Sequence, residues 1–256
     1  MDYILGGLPV WAFWVAVGVT VFAGFVKGAL GFAMPLIMIS GFSSFMPTET
    51  ALAGLVMSVI STNLHQSLRQ GWREAWASVV KYRRIIAMTC LGIMISAPLL
   101  PILPQKLLLG LLGVPVLAFA LVQLMGIPLK IKIEHRTRAE YALGTVGGLY
   151  GGISGVWGPP LLVYLLSVGT DKQESVRVQG VVFLLGAVVL LFAHLGTGVL
   201  NAVTIPFSAI LILPAAVGMV LGFRLQDRLD ATRFRRWTQI LLALTALNLI
   251  RMSLGF

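Results

Sequence analysis

The chain has 256 residues, 58% of them hydrophobic and 11% charged, with a mean hydropathy of +0.94. A soluble domain carries roughly a quarter charged residues, and apolar runs of about 18 or more recur here along the whole length, so the composition describes a polytopic helical membrane protein. The net charge of +10 marks no nucleic-acid partner, because 16 of the 19 Lys and Arg residues, all but Lys27, Lys106 and Arg251, gather in four short segments, 69–84, 130–138, 172–177 and 224–236, where the positive-inside rule puts them.

Residues 9–28 form the first predicted span, with Trp11 and Trp14 as interface anchors. No basic region precedes it, so it is expected to be retained rather than cleaved. A shorter apolar segment covers about 32–45. The next helix starts at Pro47-Thr48-Glu49, with Thr48 as its N-cap, and runs to about Leu68. A basic amphipathic segment from Arg69 to Arg84, carrying Trp72 and Trp76, is expected on the cytoplasmic surface. Spans at about 85–100 and 106–126 follow, joined by a turn containing Pro98, Pro101 and Pro104.

The polar segment 128–138 divides the chain into an N-terminal repeat, 1–127, and a C-terminal repeat, 139–256. The second half offers the same order of segments: about 139–154, 158–168, 175–197, 202–223 and 235–254. Five segments per half insert the two halves in opposite senses. The expected fold is therefore all-α: two inverted repeats, each opened by a broken or re-entrant pair. Charge does not separate a re-entrant pair from two full spans, since both return the chain to its starting side.

One pattern occurs twice. Gly24-Phe-Val-Lys-Gly28-Ala-Leu-Gly31-Phe-Ala-Met-Pro35 returns 124 residues later as Gly148-Leu-Tyr-Gly-Gly152-Ile-Ser-Gly155-Val-Trp-Gly-Pro159. The glycines lie on one narrow helical stripe that another backbone or a ligand could approach closely. At these two stretches the sequence resembles the sulfite exporter TauE/SafE family, whose members are small, helical and duplicated, with a Gly-rich, Pro-containing motif near the start of each half. The chain departs from that family's triple-glycine run at Phe32-Ala33-Met34 and at Val156-Trp157-Gly158. The resemblance implies efflux of sulfite, sulfoacetate or a similar small anion across the bacterial inner membrane.

Breaks near Gly31 and Gly158 would start two short helices, with Pro35, Pro159 and Pro160 in their first turns. A helix N-terminus receives anions, so Gly28, Gly31, Pro35, Ser154, Gly155, Trp157, Gly158 and Pro159 are the candidate site residues here. The same glycines and prolines also suit close packing and kinks. Lys27 has Gly151 at its matching position; it either meets an anion in the site or snorkels to the cytoplasmic end of its span. Asn63 and Gln66 share a face of the third segment and are candidate substrate contacts or interhelical hydrogen bonds. His65 and His194 are candidates for proton coupling.

Neither a nucleotide-binding loop nor a metal or nucleophile motif is present, and Cys90 is the lone cysteine. No enzyme activity, cofactor or metal is expected. The partners expected are a small anionic substrate and the lipid bilayer, with a homodimer as an open assembly state. The rival readings are an anion channel and a non-transporting membrane subunit or scaffold.

Overall fold

The computed structural model describes residues 7–225 and 230–255. They form α1 (Val10–Leu30), α2 (Met34–Phe42), α3 (Thr48–Leu68), α4 (Trp72–Lys81), α5 (Arg83–Ser96), α6 (Gln105–Leu124), α7 (Arg136–Ser154), α8 (Gly158–Ser167), α9 (Lys172–Gly196), α10 (Thr204–Ile210), α11 (Ile212–Leu225) and α12 (Ala231–Leu254). Among the described residues, six helical stretches are long and apolar enough to cross a membrane. No strand occurs among the described residues.

Local sequence explains most boundaries. After α5 the chain tightens into a 3-10 helix, Ala97–Ile102, because Pro98 and Pro101 supply no N–H for an α-helical ladder. The span expected over 202–223 is divided at Leu211 into α10 and α11. Thr48 is not the N-cap of α3. Pro47 holds that position, with φ −57° and ψ 141°, and its carbonyl accepts from the Ala51 amide. Its fixed φ already provides the entry geometry, and Thr48 becomes the first helical residue. The short helix α4 exposes Trp72 and Trp76, stacked 6.3 Å apart, and buries Ala75 and Ser78, as expected of an interfacial helix.

Both short helices turn back on the helix before them. A Cβ on Gly41 of α2 would meet Val19 of α1 at 2.9 Å, and just beyond α2 the Phe45 ring packs 6.1 Å from Trp11. Likewise the Tyr164 hydroxyl at the end of α8 reaches Glu140, near the start of α7, at 2.6 Å. Each pair is thus a helical hairpin folded at its glycine motif. At 9 and 10 residues, α2 and α8 are about half the length needed to cross the roughly 30 Å hydrocarbon core.

The most extensive packing joins the first half to the second: α5 on α7, α1 on α11, α6 on α12 and α3 on α9. Glycine makes two of these contacts possible. A Cβ on Gly24 would sit 2.4 Å from the Ala215 carbonyl oxygen, and one on Gly28 2.2 Å from that of Met219. On the other pair, a Cβ on Gly148 would sit 2.4 Å from the Thr89 oxygen. The glycine stripes therefore serve backbone-to-backbone packing between α1 and α11 and between α7 and α5.

Candidate functional site

Each hairpin bends through a left-handed residue. Gly31 has φ +84° and Gly155 φ +70°, a conformation glycine adopts without steric cost. In the first bend Ala33 also has φ +76°, the only non-glycine residue with positive φ among those described. In the second bend Ser154 makes the turn: its hydroxyl donates to the Tyr150 carbonyl at 2.7 Å and accepts from the Val156 amide at 3.0 Å. The second break falls at 155–157, and Gly158 is already the first residue of α8.

The two bends line one small cavity. Phe32, Ala33, Pro35 and Leu36 come from the first and Gly155 to Pro159 from the second, with Phe119, Gln179 and Phe183 closing the sides. Its volume is about 20 Å³, the scale of a single bound water. Gln179 is the polar side chain in its wall, apart from the Trp157 indole, whose Nε1–H is buried without an acceptor. The prolines that suit the first turns also remove amide donors there. Among residues 158–161 only Gly158 and Leu161 retain an N–H, so helix ends alone make a weak anion site.

Behind the first bend lies a stronger group. Lys27 is 1% exposed; it is enclosed by protein and does not snorkel. Its ammonium donates to Thr62 Oγ1 at 3.1 Å and to Asn63 Oδ1. The Thr62 hydroxyl spends its own proton on the Ser58 carbonyl at 2.7 Å, so it offers Lys27 a lone pair. Because an ammonium only donates, the Asn63 carbonyl must face it and the NH2 group must face away. That Nδ2 is fully buried with no acceptor. The ammonium has a third N–H to place, and no carboxylate pairs with Lys27 among the described residues. This is a concentration of unused donors around one buried cation. It adjoins the cavity through Met34, whose Sδ lies 3.5 Å from the Thr62 hydroxyl and whose chain neighbours Ala33 and Pro35 line the cavity wall.

The remaining candidates have other surroundings. Gln66 spends its amide on two carbonyls, Gly31 at 3.2 Å and Val176 at 2.8 Å, and so ties the first bend to α9. Gly28 packs against α11. His65 is exposed, its ring 5.8 Å from Phe223, and is not brought to the cavity. His194 is fully buried near the end of α9 with both ring nitrogens unpartnered, and it too lies outside the cavity lining. Thr62 and Gln179 were legible as polar residues inside apolar spans. Phe119 carried no signal in the sequence, being one aromatic among many in α6.

A second polar cluster occupies the end of the protein where α4, α7 and α9 begin or finish. Glu174 accepts from Lys81 at 2.6 Å and from the Tyr82 hydroxyl at 3.0 Å, and the Glu174 bond holds the Lys81 ammonium above its usual range. Glu140 is 3% exposed and accepts from Tyr164 and from Arg136. These contacts fasten α8 to α7 and α9 to α4, without reaching the cavity.

Comparison with known proteins gives one match. The family model described as sulfite exporter TauE/SafE matches residues 16–249. No curated protein and no solved structure matches the chain. With nearly its whole length covered, both bends and the Lys27 group included, the chain belongs to the sulfite exporter TauE/SafE family.

Proposed function

We propose that this chain is a secondary transporter that exports sulfite, sulfoacetate or a similarly small sulfur-containing anion across the bacterial inner membrane. Membership of the family implies a membrane exporter of sulfite or a related anion. The observation that carries the finer reading is the Lys27–Thr62–Asn63 group: a buried ammonium with no carboxylate beside a buried amide with no acceptor. A charge held at membrane depth is costly and marks function. Here the missing partner is an anion with several acceptor oxygens. The Trp157 N–H and the first-turn amides would complete its shell from the cavity side.

In this reading the two halves are inverted repeats. The support is the pairing of α1 with α11 and of α7 with α5, together with opposite chain directions. The residues at the end of α3, Gln66 to Gln70, meet the start of α9, Val176 and Arg177. The cavity, at about 20 Å³, has room for about one water and would hold the anion only after one half rocks against the other, as alternating access requires. The Met34 side chain is the flexible element between Lys27 and the cavity. Proton coupling, in this reading, runs through the buried titratable groups Lys27 and His194.

The test is efflux of labelled sulfite and sulfoacetate from proteoliposomes, with and without an imposed pH gradient. Wild-type protein is expected to move at least one of them, faster with the gradient, and Lys27→Met to reduce the rate more than tenfold. Wild-type rates from Lys27→Met, or no flux of any small anion, would overturn the reading.

A further inference from the structure

Two open hollows lie side by side where α3 ends and α9 begins, outside the buried cavity. One, of about 420 Å³, is lined by Gln66, Arg69, Gln70, Lys172 and Arg177 among others. The other, of about 370 Å³, runs along Gly28 to Gly31 and is edged by Arg69, Lys172 and Arg235. Arg69, Lys172 and Val176 belong to both, so the pair forms one vestibule.

Among the described residues its charge is unbalanced. Arg177 is occupied by Glu74 at 3.9 Å and by Ser78 at 2.9 Å. Arg69, Lys172 and Arg235 pair with no carboxylate among the described residues. Among the described residues, nearby acids are committed elsewhere: Asp171 caps the Glu174 amide, Glu174 holds Lys81 and Tyr82, and Asp230 pairs with Arg233 and caps α12. Lys172 is also the first residue of α9, where a helix end is already positive and a cation is disfavoured. Arg69 also lies over the Phe223 ring, 4.5 Å from its centroid, and like charges lining one hollow favour an anion there.

The vestibule leads toward the buried group. Its floor is the first bend, held by the Gln66 bonds to Gly31 and Val176. Gln66 and Asn63 share a face of α3, Arg69 stands at its C-terminal end, and Asn63 holds Lys27.

We propose that this vestibule is an oxyanion-binding site, built on Arg69, Lys172 and Arg235, that stages the exported anion before it reaches Lys27. The inference rests on the transport reading above. A soluble sulfite and the phosphate of an anionic lipid offer the same chemistry to these groups, so the experiment separates them.

Purified wild-type protein, Arg69→Gln/Arg235→Gln and Lys27→Met would be placed in vesicles of neutral phosphatidylcholine, with labelled sulfite as the probe. Lys27→Met is expected to keep a weak, salt-sensitive binding component, and a triple variant adding the two glutamines to lose it. In flux, Arg69→Gln/Arg235→Gln is expected to raise KM about tenfold, with a smaller change in kcat and a flatter dependence on ionic strength. Arg69→Lys/Arg235→Lys should restore most of the KM, which separates lost charge from lost fold. An unchanged KM and salt dependence overturns the proposal. So does an effect seen only after phosphatidylglycerol is added, since the cations would then hold lipid phosphate. If wild-type protein carries no flux but Lys27→Met keeps its salt-sensitive binding, the transport reading fails and the anion site stands.

Discussion

The indole of Trp157 fills the hollow beside Gly151: a Cβ on that glycine would come within 2.7 Å of the ring, and one on Gly186 within 2.9 Å of its other edge. Counted back by 124 residues, Gly151, Gly186 and Trp157 correspond to Lys27, Thr62 and Ala33. In the first half the bend carries a small Ala33, and the space behind it is taken by the bonded Lys27 and Thr62 side chains. In the second half the bend carries a large Trp157, and the equivalent positions are emptied to glycine to admit it. One bend thus has the Lys27 ammonium behind it and the other the Trp157 ring.

That fit predicts a specific clash. Gly151→Ala and Gly186→Ala should each push the Trp157 ring and cost about 1–3 kcal/mol, the usual range for overpacking. Combining Gly186→Ala with Trp157→Phe should recover part of the loss, because the two positions touch. Thermal unfolding in detergent checks this. Additive losses in the double variant would mean that the ring is not the obstacle.

Changing Asn63 to Asp makes a sharper test of the ammonium than deleting it. Asn63→Asp would give Lys27 the counter-ion it lacks, at an oxygen already hydrogen-bonded to it. The expected outcome is a protein at least as stable as wild type that no longer exports sulfite, since the anion's place is taken from within. Lys27→Met, by contrast, leaves the buried Asn63 Oδ1 without its donor and is expected to lose about 1–3 kcal/mol of stability. Export by Asn63→Asp at the wild-type rate would remove Lys27 from the binding of anion.

The helical membrane character and the breaks within both glycine motifs were readable in the sequence, because each depends on local composition and spacing. The glycine stripe announced a close approach but not by what: its partners, Ala215 and Met219 for one half and Thr89 for the other, lie far along the chain. The same distance hid whether Lys27 was buried or snorkelled, since its enclosure depends on α3 packing over the first bend. His65 and Asn63 are two residues apart, yet one is exposed and the other fully buried. Helix periodicity puts them about 200° apart, on opposite faces, but which of those faces is covered is decided by other helices far along the chain.

Glycines on α1 should divide into two kinds. Gly24→Ala places a Cβ 2.4 Å from the Ala215 oxygen, and Gly18→Ala meets nothing within 4 Å. The first must force α1 away from α11 and is expected to lower the yield of folded protein sharply. The second should be tolerated or stabilise by about 0.5–1 kcal/mol, the helix advantage of alanine over glycine. Size-exclusion profiles and unfolding midpoints of the two variants, side by side, decide it.

Ala33 offers a prediction of opposite sign. With φ +76° it sits where an L side chain crowds the following carbonyl, at a cost of roughly 1–2 kcal/mol that glycine avoids. Ala33→Gly should therefore raise the unfolding midpoint even though glycine is the more flexible residue, because the strain relieved exceeds the added unfolded-state entropy of up to about 1 kcal/mol. Gly31→Ala should lower the midpoint, since it adds the same strain at φ +84° and brings a Cβ within 3.3 Å of Val176. Flux separates strain with a purpose from strain without one. Ala33 lines the cavity beside Pro35, and a relaxed bend that holds the closed conformation more firmly would export more slowly while unfolding later. A more stable Ala33→Gly protein with undiminished export would show that the left-handed alanine is only tolerated; a less stable one would mean that the bend does not adopt this conformation.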